Sequence, residues 1–252
     1  MPSAPPVVLT FAASDPTGGA GLQADVLTIA ALGCHPLSVL TAFTVQDTRG
    51  VSRLRAIDAA SVVEQARRLL DDIAVDAFKL GVLGSAENVR AIAEIISGHP
   101  RLPMVLDPVL ASGRGDELAD AEAIHALLEA IVPQSTMVTP NSLEARRLGG
   151  PQRLLERGCD FVLVTGTHEA GAQVVNTLYD ARGVVREDRW QRLPGGYHGS
   201  GCTLASAVAA SLASGQAPAD AAREAQAYTW QTLAAAFRPG RGQAIPQRFL
   251  RH

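Results

Sequence analysis

Val7-Val8-Leu9-Thr10-Phe11-Ala12-Ala13 runs directly into Ser14-Asp15-Pro16-Thr17-Gly18-Gly19 and then into Ala20-Gly21-Leu22-Gln23-Ala24-Asp25. The first stretch is a short apolar run bounded by turn residues, the pattern of a buried strand. The second, with Asp, Pro, Thr and Gly, is a loop. Across residues 21–32 the apolar side chains of Leu22, Val26, Ile29 and Ala30 recur at helical spacing. Strand, glycine-bearing turn and helix make one βα unit, and that unit decides the fold because it repeats.

Further strands are predicted at 39–45, 77–80, 104–106, 137–138 and 161–165. Helices are predicted at 61–72, 88–96, 121–131, 202–214 and 219–237. Gln46-Asp47-Thr48-Arg49-Gly50 reads as a turn, and 173–178 with 184–190 as a hairpin about Asp180-Ala181-Arg182-Gly183. Strands alternating with helices give an α/β fold: a mostly parallel central sheet flanked by helices. No linker or repeat interrupts it, so residues 1–252 are expected to form one domain. In such sheets ligands gather at the carboxyl ends of strands. That rule selects the loops after Ala13, Val45, Leu80, Leu106, Val138 and Thr165.

Composition agrees. Hydrophobic residues are 47% of the 252, enough for a large core, which excludes a disordered chain. Aromatics are only 4%, so Ala, Val, Leu and Ile must fill that core, as suits strands buried on both faces. The net charge is −3 and there is no basic run, so nucleic acid is not an expected partner. The start, Met1-Pro2-Ser3-Ala4, has no leader pattern. Residues 202–214 are too short and too rich in Ser and Thr to cross a bilayer, so no membrane partner is expected. Cys34, Cys159 and Cys202 are widely spaced and odd in number, which gives neither a disulfide framework nor a zinc pattern. A reducing cytoplasm is the expected compartment.

Several short motifs admit two readings each. Gly199-Ser200-Gly201-Cys202 opens an apolar helix; its glycines can turn backbone N–H groups toward an anion, or simply start a helix. In the first reading the helix N-terminus lowers the pKa of Cys202. Gly18-Gly19-Ala20-Gly21 is not a P-loop, since the chain's one lysine is Lys79, and a plain turn is its better reading. Asn141 with Glu144 is either a helix cap or part of a Mg²⁺ site held through water. Asp107 ends a strand nearby and is a turn former or a partner of Glu144. Gln46 at a strand end is a turn residue or a reader of a heterocycle edge. Asp25, one turn into a helix, is explained by the macrodipole alone. Lys79 is as well explained by a structural ion pair as by ligand contact. His198 is expected to have a surface or capping role.

Together these residues resemble a known family. Residues 13–25 resemble the N-terminal signature of hydroxymethylpyrimidine/phosphomethylpyrimidine kinases. Val45-Gln46-Asp47-Thr48, Lys79-Leu80-Gly81, Leu106-Asp107-Pro108-Val109, Thr139-Pro140-Asn141 with Glu144, and His198-Gly199-Ser200-Gly201-Cys202-Thr203 follow in the family's order, from about residue 7 to about residue 237. The resemblance implies a ribokinase-like three-layer sandwich that uses ATP and Mg²⁺ to phosphorylate a pyrimidine alcohol, and its monophosphate, for thiamine biosynthesis. It implies an anion hole at Gly199, Ser200 and Gly201, with Cys202 receiving the hydroxyl proton. It further implies a pyrimidine pocket of Ala13, Ala20, Asp25, Gln46, Val82 and Val109. Nucleotide contacts are implied at Asn141, Thr165 and Gly166, and a metal region at Asp107 and Glu144. A homodimer is implied as well.

Three departures stand out. Ala13 replaces a frequent Gly, Thr165 replaces a frequent Lys, and residues 145–160 look shortened, as though a peripheral helix were trimmed. Two other readings compete. A pyridoxal or pyridoxamine kinase acts on a similar hydroxymethyl heterocycle. A non-catalytic binding protein could keep the same fold, although intact Cys202, Gly199, Gly201 and Glu144 argue against it.

Overall fold

A computed structural model describes residues 4–112 and 115–250. The start at Met1-Pro2-Ser3, on which the leader reading rests, lies outside those residues. One nine-stranded sheet runs in the order β3-β2-β1-β4-β5-β6-β7-β8-β9. Its parallel centre comprises β1 (Val7–Ser14), β2 (His35–Asp47), β4 (Ala77–Leu80), β5 (Met104–Leu106), β6 (Met137–Val138) and β7 (Phe161–Thr165). Antiparallel strands extend both edges: β3 (Gly50–Ala56) on β2, and β8 (Gln173–Asp180) with β9 (Gly183–Gln191) on β7.

Side chains of a strand alternate between faces, and here each face has its own core. Leu9, Phe11, Phe78, Leu80, Met104 and Leu106 join the core under α2 (Ala59–Leu70) and α3 (Ala86–Ser97). Val8, Ala77 and Val105 join the other, with α1 (Gly21–Ala31), α7 (Ser200–Ala213) and α8 (Pro218–Ala234). The same parity turns Lys79 toward α1 and α7. Helix α7 is built almost wholly of Ala, Ser, Val and Leu and is buried on nearly every side. Small side chains let it lie close under the sheet, its N-terminus beneath the ends of β4 and β5. The order reverses between β1 and β4, so the crevice expected of such sheets opens at their carboxyl ends.

Three expectations change. The predicted turn at 46–50 is the tip of a hairpin, because β2 runs on to Asp47 and β3 returns from Gly50. Arg53, Arg55 and Ser52 leave β3 without an apolar run, since this ribbon projects from the sheet and buries neither face. Residues 145–160, read as shortened, carry α6 (Pro151–Glu156) after α5 (Ser142–Arg147), the two standing either side of Gly149-Gly150, both at positive φ. The predicted helix over 121–131 holds as α4 (Ala121–Ala126) and then passes into a single π turn, Leu127–Ile131.

Candidate active site

A cavity of about 480 Å³ lies along the carboxyl ends of the parallel strands. Gly199, Ser200, Gly201 and Cys202 form its middle. Gly199 has φ +84°, and an added Cβ would stand 1.8 Å from the Gly19 carbonyl oxygen. Only glycine permits that approach, so the turn before α7 and the turn before α1 are in direct contact. The N–H groups opening the fourteen-residue α7 face the cavity, where the helix field favours an anion.

One end of the cavity carries Ala13, Ala20, Gln46, Val82 and Val109. Gln46 is half-buried, and its Nε2 donates to Thr44 Oγ1 at 2.7 Å. The Thr44 hydroxyl donates in turn to the Ser14 carbonyl at 2.9 Å. A carbonyl only accepts, so the direction of this chain is set and the amide nitrogen is tied down.

The other end carries Asn141, Glu144 and Thr165, with Asp107 between. Beyond them, Gln226 Oε1 accepts from Asn176 Nδ2 at 2.9 Å and from Trp190 Nε1 at 3.0 Å. The capping role of Asn141 is realised: its Oδ1 accepts from the N–H groups of Leu143 and Glu144, while Glu144 Oε2 accepts from the Asn141 N–H at 2.9 Å. Burial pushes the Glu144 carboxyl up to about 8, with Asp107 adding to it.

Two predicted site residues are elsewhere. Asp25 is not on the cavity wall. It is fully buried beneath it, and its carboxylate accepts from Thr10 Oγ1 at 2.8 Å, Ser206 Oγ at 2.8 Å and Lys79 Nζ, the ion pair closing to 2.8 Å. Such a carboxylate has no lone pair to spare for a pyrimidine. Gly166 is also off the wall: its N–H is taken by Asn176 Oδ1 at 3.1 Å, and a Cβ would stand 2.3 Å from the Val175 carbonyl oxygen.

The expected low pKa of Cys202 is reversed. Burial pushes the thiol up to about 12, and the nearby Asp107 and Asp25 carboxylates outweigh what Lys79 and the Gly21 N–H take off. Burial also raises Asp107, to about 6, with Lys79 opposing, Asp25 adding and the Cys202 thiol lowering it. Lys79 is fully buried. Burial works against its charge, yet Asp25, Cys202 and Asp107 more than offset that and raise its pKa. The ion-pair reading of Lys79 is therefore the one realised.

Some residues were passed over. His198, expected to have a surface or capping role, lines the cavity and hydrogen-bonds Asp15 Oδ2 through Nε2 at 2.7 Å. Its place beside Gly199 was the available signal. Arg248, buried at 3% exposure, had none.

The sequence profile of the family described as phosphomethylpyrimidine kinase matches residues 15–247. A hydroxymethylpyrimidine/phosphomethylpyrimidine kinase of Streptomyces coelicolor is 40% identical over 96% of this chain and 93% of its own. The thiamine biosynthesis bifunctional protein ThiED of Geobacter sulfurreducens is 39% identical over 93% of this chain, which covers 50% of that longer protein. Among solved structures, the Staphylococcus aureus pyridoxal kinase with AMP-PCP and pyridoxal superposes with a TM-score of 0.89 at 26% identity, over 98% of this chain and 94% of that one. The phosphomethylpyrimidine kinase of Clostridium difficile 630 gives 0.77 at 30% identity, over 90% and 99%.

Proposed function

The chain belongs to the phosphomethylpyrimidine kinase family, and from that premise we propose that it moves the γ-phosphoryl group of ATP to 4-amino-5-hydroxymethyl-2-methylpyrimidine, and then phosphorylates the monophosphate, for thiamine biosynthesis. The fold is the ribokinase-like sandwich. The observation that carries the reading is the turn Gly199–Cys202, which faces the middle of one cavity between Gln46 at one end and Asn141 with Thr165 at the other. A phosphoryl group in flight between two bound molecules needs positioning and charge stabilisation at that midpoint.

At the pyrimidine end, Gln46 keeps its Oε1 for the ligand because Thr44 holds the nitrogen. An acceptor there suits a ring edge bearing an amino group. Ala13, Ala20, Val82 and Val109 pack the ring, and Asn141 and Thr165 meet the nucleotide. Asp25 acts from below by fixing Lys79.

Cys202 enters the step protonated. It cannot take the alcohol's proton while holding its own, so a relay serves. The alcohol oxygen attacks phosphorus, its proton passes to Sγ, and the thiol proton passes to the Asp107 carboxylate as the bond to the leaving ADP breaks.

Mg²⁺ fits one oxygen of the same carboxylate. Asp107 Oδ2 is buried with no hydrogen-bond partner. No cluster of three or more His, Cys, Asp or Glu that could hold a metal occurs among the described residues. Asp107, with Glu144 through water, would therefore hold the ion together with water and phosphate oxygens. When bound it neutralises charge on the ATP phosphates.

Within this reading the whole chain works as one kinase domain, as a homodimer in the cytoplasm; no helix among the described residues is long and apolar enough to cross a membrane. The test is ADP release from purified protein given the pyrimidine alcohol, its monophosphate or pyridoxal in parallel. Turnover with pyridoxal alone would move the protein to the second reading, which the higher TM-score of the pyridoxal kinase favours.

A further inference from the structure

The chain's last described turns do more than finish the fold. Residues 242–248 cross behind the cavity and touch three of its loops. Gly242 N–H donates to Thr48 Oγ1 at 3.0 Å and Gln243 N–H to the Thr48 carbonyl at 2.9 Å, at the tip of the β2–β3 ribbon. His198 N–H donates to the Ala244 carbonyl at 2.8 Å, just ahead of the glycine turn. Arg248 then reaches between the two glycine turns. Its Nη1 donates to the Gly18 carbonyl at 3.2 Å, its Nη2 to the Gly19 carbonyl, and its Nε to Thr203 Oγ1 at 3.1 Å. The Thr203 hydroxyl donates onward to the Gly199 carbonyl at 2.8 Å. The Tyr228 hydroxyl anchors the Arg248 carbonyl at 2.7 Å.

This arrangement is costly. A guanidinium at 3% exposure is normally matched by a carboxylate, and the hydrogen bonds of Arg248 go to neutral oxygens alone. Burial lowers the pKa of Arg248, and the nearby Cys202, Asp25, Tyr228 and Asp15 oppose that. Neutral oxygens at fixed positions are what a clamp needs. A fork of five N–H donors in one plane can hold two carbonyls and a hydroxyl in a set geometry.

We infer that Arg248 is the positioning residue of the anion hole: it clamps the Gly18–Gly19 turn to the Gly199–Thr203 turn and sets a positive charge behind the transferred phosphoryl group. The inference rests on the kinase reading for its catalytic half and on the hydrogen bonds alone for its structural half. Lysine keeps the charge but not the fork, and methionine keeps the bulk but neither.

The experiment compares wild type with Arg248→Lys, Arg248→Met and Thr203→Val, the last cutting the link from Arg248 to Gly199 while leaving the arginine in place. Two readouts are taken: kcat and KM for ATP and for the pyrimidine alcohol, and amide hydrogen exchange without ligands. Displacing donors by about 1 Å costs on the order of 10²-fold, so Arg248→Met is expected to lose about that in kcat with ATP KM changed less than about threefold. Arg248→Lys and Thr203→Val should each lose about tenfold by the same displacement argument. Exchange at residues 18–20 and 199–203 should rise in Arg248→Met, and remain unchanged in α3 and β5. If the methionine variant does not fold, Thr203→Val carries the same test. Wild-type exchange at both turns in the variants overturns the clamp whatever the substrate proves to be. Inactivity of wild type on every alcohol would sink the kinase reading and leave the exchange result to judge Arg248. Equal kcat across all four proteins, with wild type active, would overturn the positioning role alone.

Discussion

The floor of the cavity and its pyrimidine end are held by opposite means. Beneath the floor, Asp25, Lys79, Thr10 and Ser206 are buried completely and bonded to one another from four different elements. At the end, Gln46 is half-buried on a ribbon that projects from the sheet, and its amide is oriented by one hydroxyl. The difference teaches where this protein keeps rigidity and where it keeps choice. Burial raises the Cys202 thiol and the Asp107 carboxyl, and Lys79 of the cluster opposes both shifts. In the proposed reaction the ribbon carries the residue that reads the alcohol.

Breaking the floor should give the largest effect. Lys79→Met leaves Asp25 charged, buried and unpaired, which costs about 3–5 kcal/mol. Thermal or urea unfolding measures this, and a variant as stable as wild type would mean that the ion pair is not what holds Asp25. The double change Lys79→Met with Asp25→Leu should recover much of the loss, because an apolar pair of similar bulk is tolerated.

Next in size is the chemistry resting on that floor. Cys202→Ala should lower kcat by about 10²–10⁴ with near-normal KM values, the usual scale of proton-transfer help. Asp107→Asn should fall by a similar factor and should also change the Mg²⁺ titration of turnover. An intact Mg²⁺ curve in that variant would remove Asp107 from the metal. The thiol supplies its own check. With its pKa pushed up to about 12, the thiolate fraction of Cys202 grows with pH through the whole range below that value. Alkylation of Cys202, followed by mass spectrometry, should therefore be slow at neutral pH and still accelerating at about pH 10. A plateau near neutrality would restore the thiolate that the helix terminus alone suggests.

Smaller effects belong to the pyrimidine end. Gln46→Ala should raise the pyrimidine KM about tenfold, since an unpaired buried polar group costs about 1–3 kcal/mol, while ATP KM and melting temperature stay put. Thr44→Val frees the Gln46 amide without removing it. A neutral hydrogen bond is worth about 0.5–1.5 kcal/mol net, so the pyrimidine KM should rise only about threefold, and Thr44→Ser should restore it. No change with valine would show that the amide needs no holder.

Much of this site was legible residue by residue, and the reasons differ. Gly199 to Cys202 could be found because two glycines and a helix start are a local pattern, and Gln46, Asp107 and Asn141 because strand ends are predictable. Asp25 was placed in the pocket because its motif is there; burial and three partners put its carboxylate below the floor instead. His198 and Arg248 are ordinary in sequence. Each reaches the cavity region only through a contact made far along the chain, His198 with Asp15 at a separation of 183 residues and Arg248 with Gly18 at 230. Strand β3 escaped notice because exposed arginines carry no core signal.

The sequence by itself determined the alternation of strands and helices, the family, and the order in which turns arrive at one edge of the sheet, because periodicity and turn chemistry act between near neighbours. Only the tertiary structure decided in which direction the Cys202 pKa moves, which carboxylate Lys79 answers, and what joins the two glycine turns. Those depend on loss of water and on distances of about 3 Å between elements that the chain itself holds far apart, and desolvation is set by everything packed around a group rather than by the residues beside it.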